Sequence, residues 1–141
     1  MWMKTLIGAC LLAALVCAGA VQAREDAPPA IVDSQALLVE DFAGDPSKEV
    51  VSHVYHFPAG SAVPWHIHPD AHEVVYVEEG EFTMEVAGEG KKSYKPRESF
   101  YLAPNLVHRG MNQGSRPVKI FVARIKPKAK PLVEEVPPPP S

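Results

Sequence analysis

The chain has 141 residues and a formal net charge of -3, from 17 acidic and 14 basic side chains. Hydrophobic residues make up 46% and charged residues 22%, a globular composition that excludes wholesale disorder. Fifteen prolines exclude a helical bundle, since each interior proline removes a helix hydrogen bond, and the acidic balance excludes the basic face that nucleic acid requires.

Residues 1–23 read MWMKTLIGACLLAALVCAGAVQA. Lys4 precedes an uncharged apolar stretch, and Val21-Gln22-Ala23 ends in small residues that suit signal peptidase. The pattern is a secretory signal peptide and predicts cleavage after Ala23. The apolar stretch is short for a membrane span and no charged flank follows it, so the expected product is secreted or periplasmic, with no membrane partner. Both cysteines, Cys10 and Cys17, leave with the signal. The remainder forms no disulfide, and any metal must be held by nitrogen and oxygen. Residues 24–35, with Arg24, Glu25, Asp26, Pro28 and Pro29, read as a flexible N-terminal arm.

Residues 36–126 show short apolar runs broken by turn residues at intervals of roughly 8–12 positions, the signature of a barrel or sandwich. A strand is predicted over 49–57, closed by Pro58-Ala59-Gly60, and another over 73–77. A third follows at once over 81–86, so Glu79-Gly80 reads as a hairpin turn. Further strands are predicted near 93–95, over 100–103 and over 118–125. No long stretch keeps a helical period without proline or glycine. Residues 127–141 hold six of the fifteen prolines, beginning at Pro127, and read as a Pro-rich disordered tail.

Chemistry concentrates between Gly60 and Gly80. His66 and His68 are two apart, so on a strand both point to one side. Glu73 follows a Pro69-Asp70 turn that can return the chain as the next strand. His108 arrives much later, in APNLVHRGMN. Three imidazoles and one carboxylate inside a barrel suit one divalent metal ion and leave coordination positions for water, dioxygen or a substrate oxygen. His66, His68 and Glu73 share a short stretch of chain, which predicts that His108 is the ligand most easily spared.

These residues resemble the two motifs of the cupin superfamily. Gly60, His66, His68, Glu73 and Gly80 match every fixed position of the first motif. His108 and Asn112 match the second at the right separation, but Arg97, Ala103 and Asn105 stand where that motif has glycine, proline and glycine. Asparagine tolerates the left-handed backbone conformation, whereas arginine does so less well. The resemblance implies an all-β fold, a single jelly-roll barrel. It also implies a metal site of His66, His68, Glu73 and His108 that takes iron, manganese, nickel or zinc, and assembly as a homodimer.

Other side chains read less specifically. His72 neighbours Glu73 and should face the opposite way, and His53 and His56 fall on opposite faces of their strand. Tyr76 and Tyr101 are candidate proton donors that more often serve as packing. Trp65 is expected under the metal loop, and Arg109 either binds a substrate carboxylate at the barrel mouth or is solvated. The leading expectation is an exported metal-dependent enzyme, a dioxygenase or a lyase or isomerase, acting on a small oxygenated molecule. The alternative is a cupin that binds a metal or a small molecule without turnover, since no residue outside the ligands stands out as a general acid or base.

Overall fold

Alternation of apolar side chains sets the architecture. Strand β9 (Val118–Pro127) buries every second residue, with Val118, Ile120, Val122, Arg124 and Lys126 on the inner side. Strand β4 (His72–Glu79) buries Glu73, Val75 and Val77 in the same way. Strand β2 (Lys48–Phe57) turns Tyr55 and Phe57 toward the same interior. The computed structural model describes residues 31–140, so the segment 1–23 read as a signal peptide lies outside the described residues, as does most of the segment 24–35 read as an arm.

Two five-stranded antiparallel sheets face each other, with no helix among the described residues. The first runs β1-β2-β9-β4-β7, where β1 is Asp33–Asp41 and β7 is Ser99–Leu102. The second runs β10-β3-β8-β5-β6. Its members are β3 (His66–Ile67), β5 (Phe82–Val86), β6 (Gly90–Tyr94), β8 (His108–Met111) and β10 (Glu134–Glu135). This is the all-β jelly-roll barrel. Phe57, Val75, Val77, Phe82, Val118, Ile120 and Val122 pack between the sheets. Each such side chain stabilises the fold by about 1.5–3 kcal/mol. Phe57 meets Phe82 edge-on at 5.2 Å. Gly110 on β8 must be glycine, because a Cβ there would lie 2.6 Å from the Phe82 ring. Asn112 is buried and ties three loops together, its Nδ2 donating to the carbonyls of Phe57 (2.9 Å) and Arg116 (2.8 Å) while its Oδ1 accepts from Gly114 N.

The strands predicted over 49–57, 73–77, 81–86, 93–95, 100–103 and 118–125 each fall on or beside an observed strand. Glu79-Gly80 is a different kind of turn from the one expected. It does not close a hairpin, because β4 and β5 belong to different sheets and the chain crosses the barrel there. Gly80 has φ 76°, and a Cβ would lie 2.6 Å from the Pro117 carbonyl oxygen. The Pro69-Asp70 turn likewise passes from β3 in one sheet to β4 in the other.

The ends of the barrel also differ from the expected 36–126. Strand β1 begins at Asp33, inside the segment read as an arm. It is exposed along its whole length, so no apolar alternation marks it, and its eight-pair ladder to β2 holds it in place. Residues 127–141 do not lie apart from the barrel over their described length. Glu134 and Glu135 pair with Ile67 and His66, and Val136 N donates to the Trp65 carbonyl at 2.9 Å. Those partners are about seventy residues back in sequence, where composition carries no signal of them.

Candidate metal centre

The second sheet positions the histidines. Strand β3 pairs with β8 so that His66 sits directly opposite His108, with their rings 4.3 Å apart. His68 follows β3 immediately, and its ring lies 4.9 Å from that of His66 and 5.2 Å from that of His108. All three are buried, and one ring nitrogen from each lies within 4.8 Å of the others. The same face of the chain, two residues apart, thus carries His66 and His68, as their spacing predicts.

Each ring is oriented from behind. His66 Nδ1 donates to the Pro64 carbonyl at 2.7 Å and His108 Nδ1 to the Leu106 carbonyl at 2.8 Å. His68 Nδ1 donates to the Leu132 carbonyl at 2.5 Å. A carbonyl can only accept, so Nδ1 carries a proton in each ring, and in a neutral imidazole this leaves the lone pair on Nε2, the arrangement a metal-binding imidazole needs. Burial pushes the His66 imidazole down to about 4, against a smaller opposing pull from the Pro64 carbonyl. Burial lowers His108 as well. Neutral rings are the state in which imidazole binds metal.

Glu73 faces this cluster from the first sheet, with Oε2 at 2.9 Å from His68 Nε2. Arg124 on the adjacent strand donates its Nε to the same carboxylate oxygen. Burial, the largest single influence, would raise the Glu73 carboxyl, but the Arg124 guanidinium together with His68 and His108 outweighs it and holds the group at about 2. Burial would likewise lower Arg124, and Glu73 and Tyr55 together more than reverse this. Arg124 Nη1 also donates to Tyr55 Oη at 3.2 Å. His68 Nε2 is left as a buried nitrogen without a hydrogen-bond partner. In a neutral ring this nitrogen and the carboxylate oxygen are both lone-pair holders, so their close approach is repulsive until a cation or a proton stands near them. The histidine trio therefore fits a metal ion: His66, His68 and His108 could hold one.

In front of the trio is a cavity of about 180 Å³ walled by Phe57, Val75, Phe82, Ile120 and Val122, with Tyr55 and Arg124 at its polar side. Sequence reasoning missed Tyr55 and Arg124. The signal for Arg124 was present, because a charged residue in the inward phase of Val118, Ile120 and Val122 needs a buried partner. Tyr76 and Tyr101 are exposed on the outer face, where the Tyr101 hydroxyl meets His72 Nδ1 at 2.7 Å, so neither reaches the cavity. His72 and His56 are exposed. His53 is half-buried beside Tyr55, outside the cavity lining, with burial and then Arg124 lowering its pKa. Trp65 stacks under Arg109 at 4.8 Å rather than beneath the metal loop. Arg109 is neither free for a substrate nor solvated alone, since it pairs with Glu85 at 2.7 Å.

Comparison with known proteins places this geometry. The profile of the family described as "Cupin domain" matches residues 53–124, from β2 to β9. No curated protein matches the chain. Among solved structures, an uncharacterized conserved protein with a double-stranded β-helix domain from Klebsiella pneumoniae is 22% identical, with TM-score 0.59, over 76% of this chain and 85% of that one. The DMSP lyase DddQ from Ruegeria pomeroyi is 18% identical, with TM-score 0.60, over 74% of this chain and 51% of the lyase. Oxalate oxidase in complex with the substrate analogue glycolate is 23% identical, with TM-score 0.54, over 69% of this chain and 55% of the oxidase. These likenesses show a shared fold. The chain spans about half the length of the lyase and of the oxidase.

Proposed function

The chain belongs to the cupin family, and from that premise we propose that it is an exported metal-dependent enzyme acting on a small oxygenated molecule. The observation that carries the reading is the convergence of three buried imidazoles on the polar side of an apolar cavity. His66, His68 and His108 would hold one divalent ion, with Glu73 facing them as the carboxylate that could complete the set. When bound, the ion supplies Lewis acidity toward a substrate oxygen and, if it is iron or manganese, redox chemistry with dioxygen. The cavity volume, about 180 Å³, lies below the ~300 Å³ at which pockets for drug-sized ligands begin, so the substrate is small. Phe57, Val75 and Val122 exclude water from it. Tyr55 accepts from Arg124, which leaves the phenol proton free for an acceptor in the cavity. Dioxygen-dependent cleavage and a lyase or isomerase step both suit this arrangement, and dioxygen consumption separates them.

A second reading, binding without turnover, is favoured by one observation. The two charged groups nearest the trio, Glu73 and Arg124, are spent on each other. Turnover of any small oxygenated substrate in the presence of metal would remove it.

The test is metal analysis of untagged protein, followed by cobalt titration of the native chain and of His66→Ala, His68→Ala and His108→Ala. All three variants should lose most binding, against the expectation from sequence separation that His108 is the most easily spared, because His108 faces His66 across a strand pair and Arg124 competes for Glu73. Absence of stoichiometric metal and of cobalt binding in the native chain would sink the metal reading. Export is tested by sequencing the mature N-terminus, which should begin at Arg24.

A further inference from the structure

His66 and His108 find their carbonyl acceptors within their own loops, at Pro64 and Leu106, two residues back. His68 does not. Its acceptor is Leu132, sixty-four residues away, on the segment that leaves β9 and crosses to the second sheet. That segment is anchored on both sides of Leu132. Lys128 N donates to the Ser47 carbonyl at 2.9 Å before it. After it come the pairing of Glu134 and Glu135 with β3 and the 2.9 Å bond from Val136 N to the Trp65 carbonyl. Between these anchors Val133 and Glu135 line the cavity.

We propose that residues 131–136 form a strap that is part of the metal site, with the Leu132 carbonyl as the positioning group that decides which nitrogen His68 presents. The inference rests on the metal reading for its purpose, and on the hydrogen bonds alone for its geometry. Without the strap, His68 Nδ1 loses its one acceptor among the described residues, the proton redistributes between the two ring nitrogens, and the ring is free to rotate. His66 and His108, held by their own loops, keep their form. Val133 and Glu135 of the strap also line the cavity, so a bound ion should leave more quickly once the strap is removed.

The experiment compares the full chain with one ending at Lys130 and with full-length Val136→Pro, which removes only the donor to Trp65. Imidazole nitrogen shifts are recorded on metal-free protein, and cobalt affinity and cobalt loss to EDTA are then measured. The shortened chain should lose the pure Nδ1–H form at His68 while His66 and His108 retain it. Cobalt binding should weaken about 10- to 100-fold, the usual effect of removing a group that orients a ligand, and cobalt loss should quicken. Val136→Pro should shift His68 in the same direction by less, and it decides the matter if the shortened chain does not fold. An unchanged His68 in both variants, or equal changes at all three histidines, overturns the proposal. Failure of every chain to bind cobalt overturns the metal reading, and the nitrogen shifts then still decide the role of the strap.

Discussion

Each of the three imidazoles holds its Nδ1 proton toward a carbonyl in a buried site, and at His66 and His108 the consequence appears in acid. Below 6.5, the ordinary value, the unfolded chain protonates His66, whereas the folded chain does so only near 4. The stability this group contributes is therefore complete above 6.5 and is lost as pH falls from there to about 4. His108 acts in the same direction. Glu73, depressed from 4.5 to about 2, adds a second loss below 4.5 as its pairing with Arg124 is titrated away. Protonating His66 in the folded chain rather than the unfolded one costs about 1.4 kcal/mol for every tenfold difference in proton affinity, so this histidine alone is worth roughly 3 kcal/mol across its window. Urea unfolding in EDTA at about pH 7.5 and about pH 4.5 should show this decline, and His66→Gln should flatten it. Equal pH dependence in the variant would refute the assignment. The ligand types were legible in the sequence because two-residue spacing on a strand is enough to align His66 and His68. The grip of Arg124 on Glu73 was not, because it depends on β4 and β9 being neighbours, and no local pattern states which strands pair.

At the scale of turns, Arg97 and Asn105 stand where the family motif has glycine, and both take the left-handed conformation, at φ 75° and 63°. The two substitutions differ in what they gain. Arg97 is exposed, and its side chain makes no ion pair among the described residues, so its positive φ is uncompensated. Asn105 donates Nδ2 to Asp70 Oδ1 and accepts from Asp70 N, both at 3.0 Å. It thereby braces the turn after His68 against the loop before His108. Arg97→Gly should raise stability by about 1 kcal/mol, since a left-handed non-glycine residue costs roughly 1–2 kcal/mol and the added chain entropy takes part of that back. Asn105→Gly should lower it by about 1 kcal/mol through the lost hydrogen bonds. Thermal melts resolve both, at about 4–8 °C per kcal/mol for a domain of this size. A destabilised Arg97→Gly would show that the arginine has a partner the turn geometry does not reveal. Strands with alternating burial, such as β4 and β9, were readable from their residues. The exposed β1 and the two-residue β3 and β10 were not, because pairing rather than side-chain pattern holds them.

Over the whole molecule, apolar exposure is uneven. Of the eight exposed large apolar side chains among the described residues, six lie on the first sheet: Leu37, Leu38, Val39, Val74, Tyr76 and Tyr101. Val74 is 49% and Tyr101 55% exposed, and the two sit opposite each other on β4 and β7. Large exposed apolar patches on a soluble chain mark contact surfaces. A second copy related by a two-fold axis can cover such a face with the same face. The edge of that sheet, β1, is nine residues long and pairs on its outer side with no strand among the described residues, and an open edge also invites pairing. A homodimer through the first sheet is the expected assembly. The face stands away from the trio, whose histidines belong to the second sheet and its following loop, so dimerisation and metal binding should separate under mutation. Sedimentation velocity of Val74→Lys should show monomer where the native chain shows dimer, with cobalt affinity unchanged. A native chain that stays monomeric at every concentration would refute the assembly. A Val74→Lys dimer that Val39→Lys splits would move the contact from the face of the sheet to its open edge.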